Sequence, residues 1–144
     1  MFPFNIRVYG ILINDFREVL LSDETRNGYA FTKFPGGGLE FGEGFKDALI
    51  REFKEELNLE ITVGELFYFN DFHQLSIFDS KHQLHSFYYQ VNSTYWRLID
   101  TDVQSIPLES DKESYRWVAI DQLMPEMVTF PIDKIVAEKL RHAL

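Results

Sequence analysis

Gly36 to Leu59 reads GGGLEFGEGFKDALIREFKEELNL, and the meaning of this stretch decides how the rest of the chain is understood. Its second half sets Phe45, Leu49, Phe53 and Leu57 four residues apart, with Ala48 one turn before Glu52. Residues at that interval share one face of an α-helix, so the stripe predicts a helix. Glu52 and Glu56 are also four apart, and Glu55 lies beside them. Like charges so placed repel by roughly a few tenths of a kcal/mol per exposed pair. A helix built only for stability would alternate the signs; Arg51, four before Glu55, gives partial relief. Hard divalent cations such as Mg²⁺ take oxygen ligands, often carboxylates together with phosphate oxygens, and a carboxylate cluster on one helical face suits them. The plain alternative is a solvated acidic face, since charged side chains stay in water.

The full spacing removes that alternative. Gly37 is followed by five residues, Glu43, seven residues, and then Arg51-Glu52-Phe53-Lys54-Glu55-Glu56-Leu57-Asn58-Leu59. This pattern resembles the Nudix box, the loop–helix–loop signature of the Nudix (MutT-like) hydrolases, over the 23 residues Gly37 to Leu59. Every fixed position matches except Asn58, where the family usually carries glycine. Asparagine is the next best residue for a left-handed helix cap, so the departure is mild. The lead-in Phe34-Pro35-Gly36-Gly37 is similar to the family's usual approach to the box, and WVAIDQL (Trp117 to Leu123) to its usual ending.

The resemblance implies a single Nudix domain over residues 1–144, an α/β/α sandwich with its box at 37–59. It implies Mg²⁺-dependent hydrolysis (Mn²⁺ as a substitute) of a nucleoside diphosphate linked to another group X, with water attacking one phosphorus. By position, Glu52, Glu55 and Glu56 are the implied metal ligands and catalytic residues, Glu52 also as base, and the Gly36 carbonyl joins the metal shell. Glu43 and Arg51 match the pair that holds the loop against the helix. Some members use a further glutamate from a distal loop in catalysis; Glu113 and Glu109 are the candidates. Arg7, Lys33, Gly37 and Gly38 are candidate substrate contacts. A non-catalytic sensor of nucleotide metabolites on the same fold is the alternative, although such proteins often lose box carboxylates and gain a DNA-binding domain. Isomerase chemistry is a third option.

The composition agrees with an enzyme of this kind. The chain has 144 residues, enough for one ordinary domain, and is 45% hydrophobic with 14 Phe, enough for a real core. A net charge of −9 argues against non-specific nucleic-acid or anionic-membrane binding, and an acidic protein handling an anionic substrate needs cations between the two. There is no cysteine, hence no disulfide framework or thiol chemistry. MFPFNIRVYG lacks the charged leader and apolar core of a signal peptide, and no apolar run approaches a membrane span, so a cytoplasmic location is expected.

Along the chain, Ile6 to Ile13 reads as a buried strand and Glu18 to Leu21 as its hairpin return across Asn14-Asp15. Polar Ser22 to Gly28 reads as a loop, and Tyr29 to Phe34 as a short strand. The triple glycine reads as a tight turn or a place where backbone closely approaches metal or phosphate. It is no P-loop, because Phe45-Lys46 follows Gly44. Glu60 to Phe72 reads as one or two strands with a bulge at Gly64, His85 to Val91 and Tyr115 to Ile120 as strands, Asp121 to Leu123 as a short helix start, and the segment from Pro131 as an amphipathic helix. Strands outnumber helices, which predicts a mixed sheet protein, α/β or α+β.

His82 and His85 lie on opposite sides of a strand and make a poor metal pair; His73 reads as a surface histidine. Arg26 reads as a solvated surface residue, whereas Arg7 interrupts a buried-looking strand. Phe67, Tyr68, Phe69 and Phe72 read mostly as core, with some rings free to stack on a flat group. The substrate is not written in the sequence. The downstream proline common in ADP-ribose hydrolases is not evident around Gln74-Leu75-Ser76, and no coenzyme A or NADH signature is present. Nucleoside triphosphates, nucleotide sugars and dinucleoside polyphosphates remain open, as does a homodimer. The implied partner is a nucleotide-like small molecule, with no nucleic acid and no membrane.

Overall fold

The computed structural model describes residues 3–101 and 112–143. They form a mixed α/β fold with two sheets and two α-helices, divided between two compact units.

The first unit comprises Met1–Leu12 and Gly36–Tyr95. Its sheet contains β1 (Phe4–Leu12), β4 (Gly36–Gly38), β5 (Thr62–Phe69) and β6 (Gln83–Asn92), in the order β4-β1-β6-β5. β1 runs parallel to β6 from Phe4↔Gln83 to Leu12↔Val91 and antiparallel to β4. A parallel neighbour buries β1, which explains its nearly continuous apolar run. β5 pairs with β6 through register shifts on either side of Leu66, the first of them spanning Gly64, where the sequence suggested a bulge. Buried Asn70 ties the next loop down: its side-chain amide donates to the Phe72 and Leu84 carbonyls at 3.0 Å and accepts from the Ser86 amide at 2.8 Å.

Helix α1 (Phe45–Leu57) carries the predicted stripe from its first member to its last, and it buries Ala48, Leu49, Glu52 and Phe53. The Phe53 ring lies where a side chain on Gly10 of β1 would stand, with a built Cβ only 2.6 Å from it. Asn58 ends the helix in the left-handed conformation (φ 50°, ψ 39°), with its amide on the Lys54 carbonyl and that of Leu59 on Phe53. The cap geometry that glycine usually supplies is therefore met by asparagine.

The second unit comprises Ile13–Pro35 and Trp96–Leu144. Its sheet has β2 (Glu18–Arg26), β3 (Tyr29–Lys33) and β7 (Lys112–Ala119), all antiparallel in the order β3-β2-β7. Two expectations fail here. The turn at Asn14 exists, with its amide bonded to the Glu18 carbonyl at 2.9 Å, but β1 and β2 belong to different sheets and do not form a hairpin beyond one isolated bridge. Ser22 to Arg26 is strand, not loop. Its polar side chains find cross-strand partners: Asp23 accepts from the Thr32 hydroxyl at 2.6 Å and the Arg116 guanidinium at 2.8 Å, and Glu24 pairs with Lys33 at 3.1 Å. The hairpin is β2–β3, closed by Asn27-Gly28 with positive φ at both (51° and 80°), the turn that matches strand twist. Asn-Gly was the available signal, and the polar run around it hid the strand.

After β7, short 3₁₀ turns at Ile120–Gln122 and Pro125–Met127 lead into α2 (Pro131–Ala143), which buries Ile132, Val136, Ala137 and Leu140. The Lys134 ammonium fixes that approach through the Val128 carbonyl at 2.6 Å and the Pro125 carbonyl at 3.2 Å. Among the described residues no helix is long and apolar enough to cross a membrane.

Candidate active site

The three glycines are neither a turn nor an open loop. They form a short strand on β1, with Arg7↔Gly38, Val8↔Gly37 and Tyr9↔Gly36 as partners. Gly36 has φ 148°, and a Cβ there would collide with the Val8 carbonyl oxygen, so no larger residue fits. A Cβ on Gly37 would stand 2.5 Å from Glu52 Oε1. The bare backbone of Gly37 is thus the floor on which the Glu52 carboxylate rests, and Glu52 is 9% exposed.

A carboxylate this buried needs a partner. Arg51 supplies one. Its Nη1 reaches Glu52 Oε1 at 3.1 Å and Glu55 Oε2 at 3.2 Å. On its other side it grips Glu43 with two bonds, Nη2 to Oε1 at 2.7 Å and Nε to Oε2 at 3.0 Å, and Nη2 also donates to the Gly38 carbonyl at 3.1 Å. The planar fork of arginine makes this two-pronged grip possible, and a lysine could not repeat it. Glu43 in turn accepts from the Glu40 amide at 2.8 Å. The Arg51 hydrogen bond, and after it the Glu40 amide, hold the Glu43 carboxyl below its ordinary range. The Glu43 hydrogen bond, ahead of Glu52, raises the already basic guanidinium further. Loop 39–44, the glycine strand and the middle of α1 are therefore joined through one side chain.

Glu55 is exposed and Glu56 half-buried, both on the half of α1 that carries Glu52. Arg7 sits on β1 opposite Gly38, with its Nη1 3.4 Å from where a Gly38 side chain would begin; its Nε donates to the Tyr9 hydroxyl at 3.2 Å. The structure brings Arg7, Gly36, Gly37, Gly38, Glu43, Arg51, Glu52, Glu55 and Glu56 together in the first unit.

Lys33 and Glu113 belong to the second unit. Lys33 is buried, its ammonium on Glu24 at 3.1 Å and on the Phe34 carbonyl at 3.2 Å. Glu113 lies on β7, directly across from Glu24. Glu109 is outside the described residues. Sequence reasoning missed Glu24, whose charge is legible only once β2, β3 and β7 are paired. His82 is held by Asp79 and His73 by Gln83, and among the described residues neither joins a metal-binding cluster.

Among the described residues no three acidic or histidine groups converge into a ready-made cation cage. The donor chemistry nevertheless fits a hard divalent ion: carboxylate oxygens on one helix, one of them seated over the backbone of Gly37, the residue that follows Gly36 in the glycine strand.

Comparison with known proteins gives the class. The family model for the NUDIX domain matches residues 3–139, and the chain belongs to that family. It is a Nudix-type diphosphate hydrolase, a group whose members generally use divalent metal ions. An RNA pyrophosphohydrolase from Orientia tsutsugamushi (strain Boryong) is 24% identical over 135 residues, covering 89% of this chain and 83% of that protein. The crystal structure of a MutT protein from Methanosarcina mazei Go1 superposes with a TM-score of 0.70 at 20% identity, over 98% of this chain and 95% of that one. A NUDIX hydrolase from Nitrosomonas europaea gives 0.70 at 20% identity, over 97% and 89%.

Proposed function

We propose that residues 1–144 act as one Nudix domain that hydrolyses the diphosphate linkage of a nucleoside diphosphate joined to a group X, with Mg²⁺, or Mn²⁺ in its place, as the cation. The observation that carries this reading is the Glu52 carboxylate, buried over Gly37 and oriented by Arg51, on the same helix as Glu55 and Glu56. Glu52, Glu55 and Glu56 with the Gly36 carbonyl would hold the cation. When bound, it supplies charge neutralisation at phosphate oxygens and a lowered pKa for the attacking water. The chain's own residues do the rest. Glu52 accepts the water's proton. Arg51 and Glu43 keep the loop fixed so that the carboxylates do not have to be ordered on binding. Arg7, beside Gly38, receives phosphate oxygens, and the Gly37–Gly38 backbone lets the substrate come close. Lys33 would serve the substrate only by releasing Glu24. Glu113 acts as a further proton-handling group. A small nucleotide substrate accords with the family, a cytoplasmic site of action follows the sequence expectation, and a homodimer is a matter for sedimentation.

The test is phosphate and pyrophosphate release from a panel of triphosphates, nucleotide sugars and dinucleoside polyphosphates, with Mg²⁺ and with chelator. A 5′-triphosphorylated RNA joins the panel because one relative is named an RNA pyrophosphohydrolase. Metal-dependent release that disappears in Glu56→Gln establishes the reading and its substrate class. Turnover untouched by Glu56→Gln would sink it. Tight binding of a panel member without turnover would favour the sensor, and a product of unchanged mass the isomerase.

A further inference from the structure

The second unit holds two carboxylates that face each other. Glu24 on β2 and Glu113 on β7 are directly opposed in the antiparallel register. Side chains opposed in this way are neighbours, and like charges there destabilise the sheet. A pair of this kind relieves its repulsion by giving one member a proton, and the surroundings decide which member.

The surroundings of the two differ. Glu24 has 10% of its side chain exposed and is surrounded by donors. Its Oε2 meets the Lys33 ammonium at 3.1 Å and accepts from the Ser22 hydroxyl at 3.1 Å; its Oε1 faces Arg26 Nη2 at 3.7 Å. All three face its carboxylate oxygens. Lys33 is itself buried, so its charge and that of Glu24 hold each other in place. Glu113 has the Tyr115 hydroxyl from its own strand, with Lys33 and Arg26 acting on it only at longer range. The residue as a whole is exposed, yet desolvation at its carboxyl, followed by repulsion from Glu24, pushes it above the ordinary glutamate range.

We infer that Glu24, ion-paired with Lys33, hydrogen-bonded by Ser22 and directly opposed to Glu113, is a positioning residue that makes Glu113 the proton-carrying member of a cross-strand carboxyl pair. The consequence for turnover rests on the proposed proton-handling role of Glu113; the pair itself does not. No bond is formed or broken in it beyond the O–H of the one proton on Glu113, which solvent supplies and removes.

The experiment is a carbon-13 NMR titration of the glutamate side-chain carboxyls in the full chain, with Glu113 assigned by its absence in Glu113→Gln. In the parent protein the Glu113 midpoint lies above those of the exposed glutamates. Glu24→Gln shifts it down, whereas Lys33→Gln, which leaves Glu24 unopposed, shifts it up. A role confined to folding would not produce shifts of opposite sign. Because single changes leave a buried charge without its partner, the double variant Glu24→Gln/Lys33→Gln is the second measurement, and it too moves the midpoint down. An ordinary Glu113 midpoint in the parent protein overturns the inference whatever the variants do, and so does a midpoint unmoved in a folded variant. Turnover is read separately. If Glu113 handles protons in hydrolysis, the acid limb of kcat/KM against pH follows the NMR midpoint in Glu24→Gln. A limb that stays in place while the midpoint moves overturns the role of Glu113 in hydrolysis and leaves the pair established.

Discussion

The two helices of this protein are each 13 residues long, each amphipathic, and each buries one acidic side chain. In α2 that residue is Asp133, 1% exposed and in the first turn. There the positive end of the helix dipole favours a negative charge. In α1 the buried acid is Glu52, past the middle of the helix, where the dipole gives no help. It depends on a neighbouring arginine and on a glycine that leaves room for it. The other buried residues of α2 are apolar, Ile132, Val136, Ala137 and Leu140, and the stripe reads as packing alone. An acid buried past the middle of its helix, held by the arginine beside it and resting on glycine backbone, on the half that carries two more acids, is the arrangement expected of the proposed site rather than of packing alone. The comparison therefore separates a helix that only packs from a helix that packs and also carries the proposed site.

Substitutions should divide along that line. The largest effect is expected from Glu52→Gln, which keeps the shape and removes the charge. Metal-dependent turnover falls at least about 100-fold, the lower range for a positioned acid–base group, while the melting temperature changes little. A variant with near-normal turnover would erase the distinction between the helices. Leu140→Ala is the converse. It loses about 2–5 kcal/mol of stability by leaving a cavity, measured by urea unfolding, and the fraction that remains folded keeps its turnover.

The glycine strand offers a graded series. Gly36→Ala forces a side chain into a backbone conformation that costs about 1–3 kcal/mol, as well as a collision with Val8, and shows as poor folding. Gly37→Ala displaces the Glu52 carboxylate, so turnover drops more than stability. Gly38→Ala meets only the end of the Arg7 side chain at 3.4 Å, so folding is kept and turnover falls less than at Gly37, through substrate approach alone. Equal losses at Gly37 and Gly38 would remove the proposed support of Glu52.

Smaller again is the dependence on pH. Arg51 lowers the pKa of Glu43 in the folded protein, so the pair adds stability above the ordinary glutamate range and loses it as pH falls through the lowered value. Arg51→Met therefore lowers the melting temperature at neutral pH, and its difference from the parent narrows in acid; a gap that widens in acid contradicts the assignment. The least effect is expected from Asn58→Gly, since asparagine already adopts the cap conformation. Thermal unfolding should differ by no more than about 0.5 kcal/mol.

The sequence by itself determined α1 from Phe45 to Leu57, its asparagine cap, the bulged strand after it and the helix that begins at Pro131. Each is written in residues three or four apart or in one turn residue, and such near neighbours meet in whatever fold contains them. It also placed Glu52, Glu55 and Glu56 on one helix and named the family. Tertiary structure alone decided that β1 lies parallel to β6, that the three glycines are a strand, that the polar run after Leu21 is the centre of a sheet, and that Glu24 faces Glu113. Those facts depend on partners far apart along the chain. A polar residue reads as loop until the strand that satisfies it is in place, and a glycine reads as turn until the carboxylate that needs its space has been packed against it.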